Sequence, residues 1–129
     1  MKSTSLVAFA LILALAAGGA TAHHSFAAFD ATKTVRLDGT VKGFEFTNPH
    51  CWLKILVPKD GGEEEWNIEM ASVASLYRKG LRRDSLKPGD KIKLDIHPLR
   101  SGEPGGAAGD LIELNGQKMP PGLLGSPQS

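Results

Sequence analysis

Stretches of alternating hydrophobic and polar residues recur along the chain with the two-residue period of β-strands. In the first stretch, apolar residues alternate with polar ones from Val35 to Val41. The alternation then shifts by one position and continues with Phe44 and Phe46. A β-bulge at a glycine produces such a shift, because it adds one residue to a strand and bends it. The pattern therefore predicts a long, bent first strand with a bulge at Gly43.

Four more strands and one helix are predicted after the first strand. The further strands are expected at residues 51–57, 66–70, 91–98 and 111–114. Between the third and fourth strands, Ser72 is placed to cap a short helix and Gly80 is placed to end it. Residues 99–109 are rich in glycine and are predicted to form a flexible loop.

This order of three strands, one helix and two strands is that of an OB-fold. We therefore predict an all-β protein, a small OB-fold-like Greek-key barrel with one short helix between strands three and four. A generic β-sandwich is the alternative, because the same strands could also be divided between two sheets.

The first 22 residues have the features of a secretory signal peptide. Lys2 precedes an apolar run of about a dozen residues, and the residues Ala20-Thr21-Ala22 fit a signal-peptidase site. A retained membrane anchor is the weaker alternative, because a spanning helix needs roughly 18 to 20 apolar residues. We predict a periplasmic protein with no membrane attachment after cleavage. Its single domain is expected at 23–119, beginning with an arm at 23–33 and followed by a disordered tail at 120–129.

The charge balance and the cysteine content of the chain exclude some classes of function. The chain has 15 Lys and Arg against 14 Asp and Glu, and cleavage would remove only Lys2 from these. This balance disfavours nucleic acid as a partner, because the phosphate backbone attracts a basic excess. The single cysteine, Cys51, cannot form an intramolecular disulfide, and strand alternation directs it into the core. No motif of a conventional hydrolase is present, so we expect no enzymatic activity, with copper redox chemistry as the open alternative.

All four histidines follow the predicted cleavage site; they are His23, His24, His50 and His97. Cleavage after Ala22 would make His23 the first residue, whose α-amine and imidazole can bind one metal ion together with a more distant histidine. Copper favours such nitrogen-rich sites. His24 offers a second route, because an α-amine, the next amide and the imidazole of residue two can chelate Cu(II) without the fold.

The predicted barrel also relates the later histidines to a ligand face. His50 would lie in the loop between strands one and two, and His97 would begin the loop between strands four and five; both loops flank the OB-fold ligand face. Asn48 and Trp52 belong to the same predicted face. The arm would have to fold back along the barrel for His23 to approach His50. Each histidine also has a plain structural interpretation, as an exposed residue or as a turn residue bonded to a carbonyl.

Three motifs together carry a family resemblance. The segment His23-His24-Ser25-Phe26, the turn Asn48-Pro49-His50 with Trp52, and the turn at 85–90 resemble domain-of-unknown-function family 6152, whose members are small exported bacterial proteins. The resemblance covers nearly the whole mature chain. It implies a periplasmic location and an approximate fold, but no activity. The family usually has an aliphatic residue at the position of Cys51, which favours a core role for this cysteine.

Two functions are expected from these observations. The first is a periplasmic metal-binding protein, a copper carrier or buffer that uses His23 and works with a metal-handling or envelope protein. The second is a metal-free OB-like module that binds a protein, peptide or small ligand across Trp52 and the loop at 98–109.

Overall fold

The computed structural model describes residues 27–125, in which the alternating stretches form β-strands around one core. The strands are β1 (Val35–Glu45), β2 (Trp52–Lys59), β3 (Gly62–Glu69), β4 (Lys91–Pro98), β5 (Gly105–Leu114) and β6 (Gln117–Lys118). The helix α1 (Val73–Arg78) lies between β3 and β4. None of the helices in this described part is long and apolar enough to cross a membrane.

The strands form one sheet that closes on itself. Their order is β3-β2-β1-β4-β5-β6, and β3 also pairs in parallel with β5. The other pairings in the sheet are antiparallel. These are the strand connections of an OB-fold barrel, so the predicted all-β barrel with one short helix is confirmed. The sandwich alternative is wrong, because the parallel β3–β5 pairing closes strands β1 to β5 into one barrel.

Strand β1 pairs with two neighbours and contains the predicted bulge. Its first half pairs with β4, its second half pairs with β2, and the register shifts between Val41 and Gly43. After the shift, the rings of Phe44 and Phe46 pack edge to face with centroids 5.7 Å apart. The predicted change of phase is therefore a bulge that lets one strand turn from one side of the barrel to the other.

The short helix begins and ends where the sequence predicts. The hydroxyl of Ser72 accepts a hydrogen bond from the Ser75 amide at 3.3 Å, and Gly80 has a φ of 95° just after the last turn. Leu76 points into the core and is fully buried. The helix therefore packs on the core through Leu76 and Val73, between a capped start and a glycine end.

The flexible loop predicted over 99–109 is wrong in its second part, because residues 105–109 belong to strand β5. Strand β5 begins at Gly105, so the loop contains only residues 99–104. A Cβ at Gly106 would lie 2.4 Å from the carbonyl oxygen of His97, and one at Gly109 would lie 2.8 Å from that of Asp95. These glycines let β5 approach β4 closely, which is a packing requirement and not a sign of flexibility.

The packed domain extends beyond the end predicted from the sequence. Leu124 is 0% exposed and belongs to the main core, and Leu123 packs against that core. The sequence assigned both residues to a disordered tail, because prolines and glycines surround them. Only the tertiary structure provides the apolar surface that these two leucines cover.

Replacement of Leu124 by alanine is therefore expected to destabilise the protein. Truncating a fully buried leucine costs about 2 to 5 kcal/mol, because it removes apolar contacts and leaves a cavity. Denaturant unfolding followed by circular dichroism measures this loss. Leu123→Ala is the matched control, and its loss is expected to be smaller because Leu123 is only partly buried. Equal stability of Leu124→Ala and the parent protein would contradict the packing described.

Candidate functional site

A cleft of about 510 Å³ lies on the outer face of β2 and β3, next to the loop between β4 and β5. It is lined by Ala28, Phe29, Trp52, Glu65, Asn67, Glu69, Leu99, Glu103, Pro104, Gly105 and Gly106. All charged residues in this lining are glutamates. Trp52 provides the large exposed aromatic surface, with 36% of its area accessible. The cleft combines an aromatic wall with negative charge.

Strand register explains why these side chains meet. Trp52 is opposite Glu69 in the β2–β3 pair, and Glu69 is opposite Ala107 in the β3–β5 pair. Ala107 is in turn opposite His97 in the β4–β5 pair. Because residues directly opposite share a face, this row runs across the outer surface of the barrel. Adjacent strands are about 4.8 Å apart, so the backbones of Glu69 and His97 are about 10 Å apart.

His50 is held by a buried carboxylate. Its Nδ1 atom contacts Oε1 of Glu69, whose side chain is only 9% exposed, while the ring of His50 is 26% exposed. A buried carboxylate is costly without a partner, so this contact stabilises Glu69 in its position beside Trp52. When the ring is neutral and Nδ1 donates to this carboxylate, Nε2 carries the lone pair and is the ring atom that can bind a ligand.

His97 is held in a similar way by a backbone carbonyl. Its Nδ1 atom lies 2.8 Å from the carbonyl oxygen of Lys33 at the end of the arm. A carbonyl oxygen can only accept, so Nδ1 donates and Nε2 is again the available ring atom. This hydrogen bond matches the structural interpretation of a histidine that fixes a neighbouring chain segment.

The arm folds back onto the barrel beside the cleft. Phe29 forms a β-bridge with Leu99, and the flanking hydrogen bonds from Asp30 N to Pro98 O and from Arg100 N to Ala28 O are both 2.8 Å long. The hydroxyl of Thr32 donates to the Asp30 carboxylate and lowers the pKa of that carboxyl. These contacts place Ala28 in the lining of the cleft.

The predicted histidine set is only partly within the described structure. His50 reaches the cleft through Glu69, and His97 lies on the same outer row, but His23 and His24 lie outside the described residues. Within residues 27–125, no three His, Cys, Asp or Glu residues are grouped so as to hold a metal ion.

Two residues near His50 have structural positions. Cys51 is fully buried as predicted; its thiol donates to the Thr47 carbonyl at 3.4 Å, and burial raises the pKa of this thiol. Asn48 was predicted to join the ligand face, but it does not line the cleft; its side-chain oxygen accepts a hydrogen bond from the amide of Val73 at 3.2 Å. Asn48 thus connects the turn to the start of α1.

Sequence reasoning missed the acidic half of the cleft. The run from Glu63 to Glu65 resembles a solvated turn, yet it forms the start of β3, and Glu65 pairs with Lys42. Glu69 stands in the outward phase of the same strand, where an exposed carboxylate is the ordinary expectation. The one available signal was the hairpin at 59–62, whose register places Glu69 opposite Trp52.

Comparisons with known proteins support the family resemblance and assign no activity. No curated protein and no solved structure matches the chain. The model of one family of unknown function, DUF6152, matches residues 10–108. Because this match covers more than half of the chain, the protein belongs to the DUF6152 family.

Proposed function

We propose that this protein is an exported, periplasmic copper-binding protein that acts as a carrier or buffer. In this proposal the α-amine and imidazole of His23 bind the ion, and Nε2 of His50 supplies a third nitrogen. One observation carries the proposal: Nδ1 of His50 contacts the buried carboxylate of Glu69, and Glu69 lines the same cleft as Ala28 of the N-terminal arm.

The Glu69–His50 pair has the chemistry of a supported metal ligand. Histidines that bind metal ions commonly donate their second ring nitrogen to a carboxylate or carbonyl, which fixes the ring and raises its basicity. Copper accepts imidazole and amine nitrogens in tetragonal arrangements. The pair would therefore present a fixed imidazole nitrogen to an ion whose other ligands arrive with the arm.

The length of the arm supports a meeting between His23 and His50. His23 is five residues before Ala28, a distance of at most about 17 Å along an extended chain. Ala28 and Glu69, whose carboxylate contacts His50, both line the same cleft of about 510 Å³. The terminal residue can therefore span the cleft from the side where the arm is anchored.

The other two histidines have different roles in this proposal. His97 positions the arm, because its Nδ1 atom donates to the Lys33 carbonyl. His24 provides the alternative chelate of α-amine, amide and imidazole, which needs no contribution from the barrel. A carrier or buffer, and not an enzyme, is proposed because a small domain offers little surface for a polymeric substrate. Its partner would be a metal-handling or envelope protein.

A Cu(II) titration of the processed protein tests the proposal, after mass spectrometry has verified that the chain starts at His23. We expect one tightly bound equivalent with nitrogen hyperfine structure in the electron paramagnetic resonance spectrum. His50→Ala is expected to weaken binding by about 10 to 100-fold. His97→Ala, which removes a contact that positions the arm and not a ligand, is expected to weaken it by a smaller factor. Weak binding that is unchanged by His50→Ala would reject the proposed site.

A second candidate is a metal-free binding module, and the cleft itself favours it. Trp52 and three glutamates suit a cationic peptide or small amine, because aromatic faces and carboxylates both attract positive groups. If this candidate is correct, Trp52→Ala reduces the binding of an oligolysine peptide. Cu(II) binding is then weak in the parent protein and equally weak in the variant. Fluorescence titration with that peptide distinguishes it from the copper proposal.

A further inference from the structure

We infer that the segment 23–26, with the sequence His-His-Ser-Phe, docks in the cleft and places the Phe26 ring against Trp52. This inference deepens the proposed function, because docking would bring the donors of His23 towards His50. The docking itself requires no metal ion. The occupant of the cleft would then be the protein's own N-terminal segment and not an external ligand.

The position of the arm is the first argument. Phe29 is fixed by its β-bridge to Leu99, and Ala28 lines the cleft. Phe26 precedes Ala28 by two residues, so their Cα atoms are at most about 7 Å apart. This short connection keeps Phe26 close to the cleft. Because the connection is short, docking of Phe26 would cost little chain entropy.

The exposed aromatic surface is the second argument. Trp52 is 36% exposed on the cleft wall, beside the apolar side chains of Phe29 and Leu99. An aromatic ring gains free energy both from apolar burial and from packing against a second ring. Phe26 is the nearest aromatic residue on the chain before Ala28. The Phe26 ring would cover the solvent-exposed part of the Trp52 indole.

Charge complementarity is the third argument. The cleft is lined by Glu65, Glu69 and Glu103, and by no lysine or arginine. Within residues 27–125, Lys42 pairs with Glu65 and His50 with Glu69, whereas Glu103 has no cationic partner. The segment 23–26 has two imidazoles and no carboxylate, and cleavage would add a positive α-amine. Negative charge in the cleft therefore favours this segment.

Acrylamide quenching of Trp52 in metal-free processed protein tests the docking. The Trp66→Phe background leaves Trp52 as the single tryptophan, because the chain has two. In this background, Phe26→Ala is expected to raise the quenching constant about twofold, since removal of the ring uncovers the indole. Tyr77→Ala is the matched control; it removes an exposed aromatic ring from α1, outside the cleft, and should change nothing.

A second measurement covers the case in which the background variant fails to fold. In the unaltered processed protein, nuclear Overhauser effects are expected between the Phe26 ring and the Trp52 indole in the presence of a chelator. Absence of these effects, or equal quenching with and without Phe26, would overturn the docking. Docking without copper binding would reject the proposed function and leave the docking intact. Copper binding without these contacts would reject the docking and leave the proposed function intact.

Discussion

We expect selective acetylation of the α-amine of His23 to lower the Cu(II) affinity of the processed protein at least about a hundredfold, or about 2.7 kcal/mol. Acetylation removes a nitrogen donor and a charge but leaves every side chain in place. Because the α-amine belongs to both possible terminal chelates, its loss weakens binding whether the His23 or the His24 route is used. Isothermal titration with a competing chelator measures the change.

Two controls assign this loss to the terminal nitrogen. Thermal unfolding of the acetylated and free proteins should coincide, because the core cluster of the described residues runs from Leu37 to Leu124. His50→Ala in the free protein separates the two routes, since only the chelate centred on His23 uses the imidazole of His50. Addition of a residue before His23 is a poorer test, because it moves His24 to position three and creates a new chelate. Equal affinity before and after acetylation would exclude a terminal copper site.

Gly39→Ala is expected to destabilise the barrel by about 3 kcal/mol, the upper part of the range for overpacking a core. A Cβ at this position would lie 2.4 Å from the carbonyl oxygen of Leu56, and that oxygen belongs to the backbone of β2. Backbone atoms in a closed barrel cannot move away as a flexible side chain can. Gly39 is therefore required where β1 crosses closely over β2.

Gly43→Ala is the matched control in the same strand. Nothing lies within 4 Å of the Cβ that this change would add, so stability should change by about 0.5 kcal/mol or less. Denaturant midpoints of the two variants give the comparison directly. Similar losses in both would show that the close approach of Gly39 to Leu56 does not limit the packing of the barrel.

These two glycines show how far sequence patterns describe the fold. The phase shift identified the bulge near Gly43, but no pattern indicated that Gly39 is the glycine without room for a side chain. The same limit applies to β5, because Gly106 and Gly109 resemble loop residues in sequence and face carbonyl oxygens of β4 in the structure. Close approach depends on a second strand that is distant along the chain.

The sequence also indicated only some of the residues of the candidate site. The sequence indicated His50 and Trp52, because residue types that bind ligands stand out and strand alternation places Trp52 outward. It missed Glu69, although this carboxylate holds His50, because a glutamate in an outward phase is ordinarily exposed. Burial of Glu69 follows from the arrangement of β2, β3 and β5 around it.

By itself, the sequence determined the strands, the bulge, the capped helix and the burial of Cys51, since all of these depend on side-chain periodicity and local backbone preferences. The tertiary structure decided the start of β5, the packing of Leu124 and the Glu69–His50 pair. Each of these depends on which distant backbones meet when the sheet closes, and a local pattern contains no information about that distance.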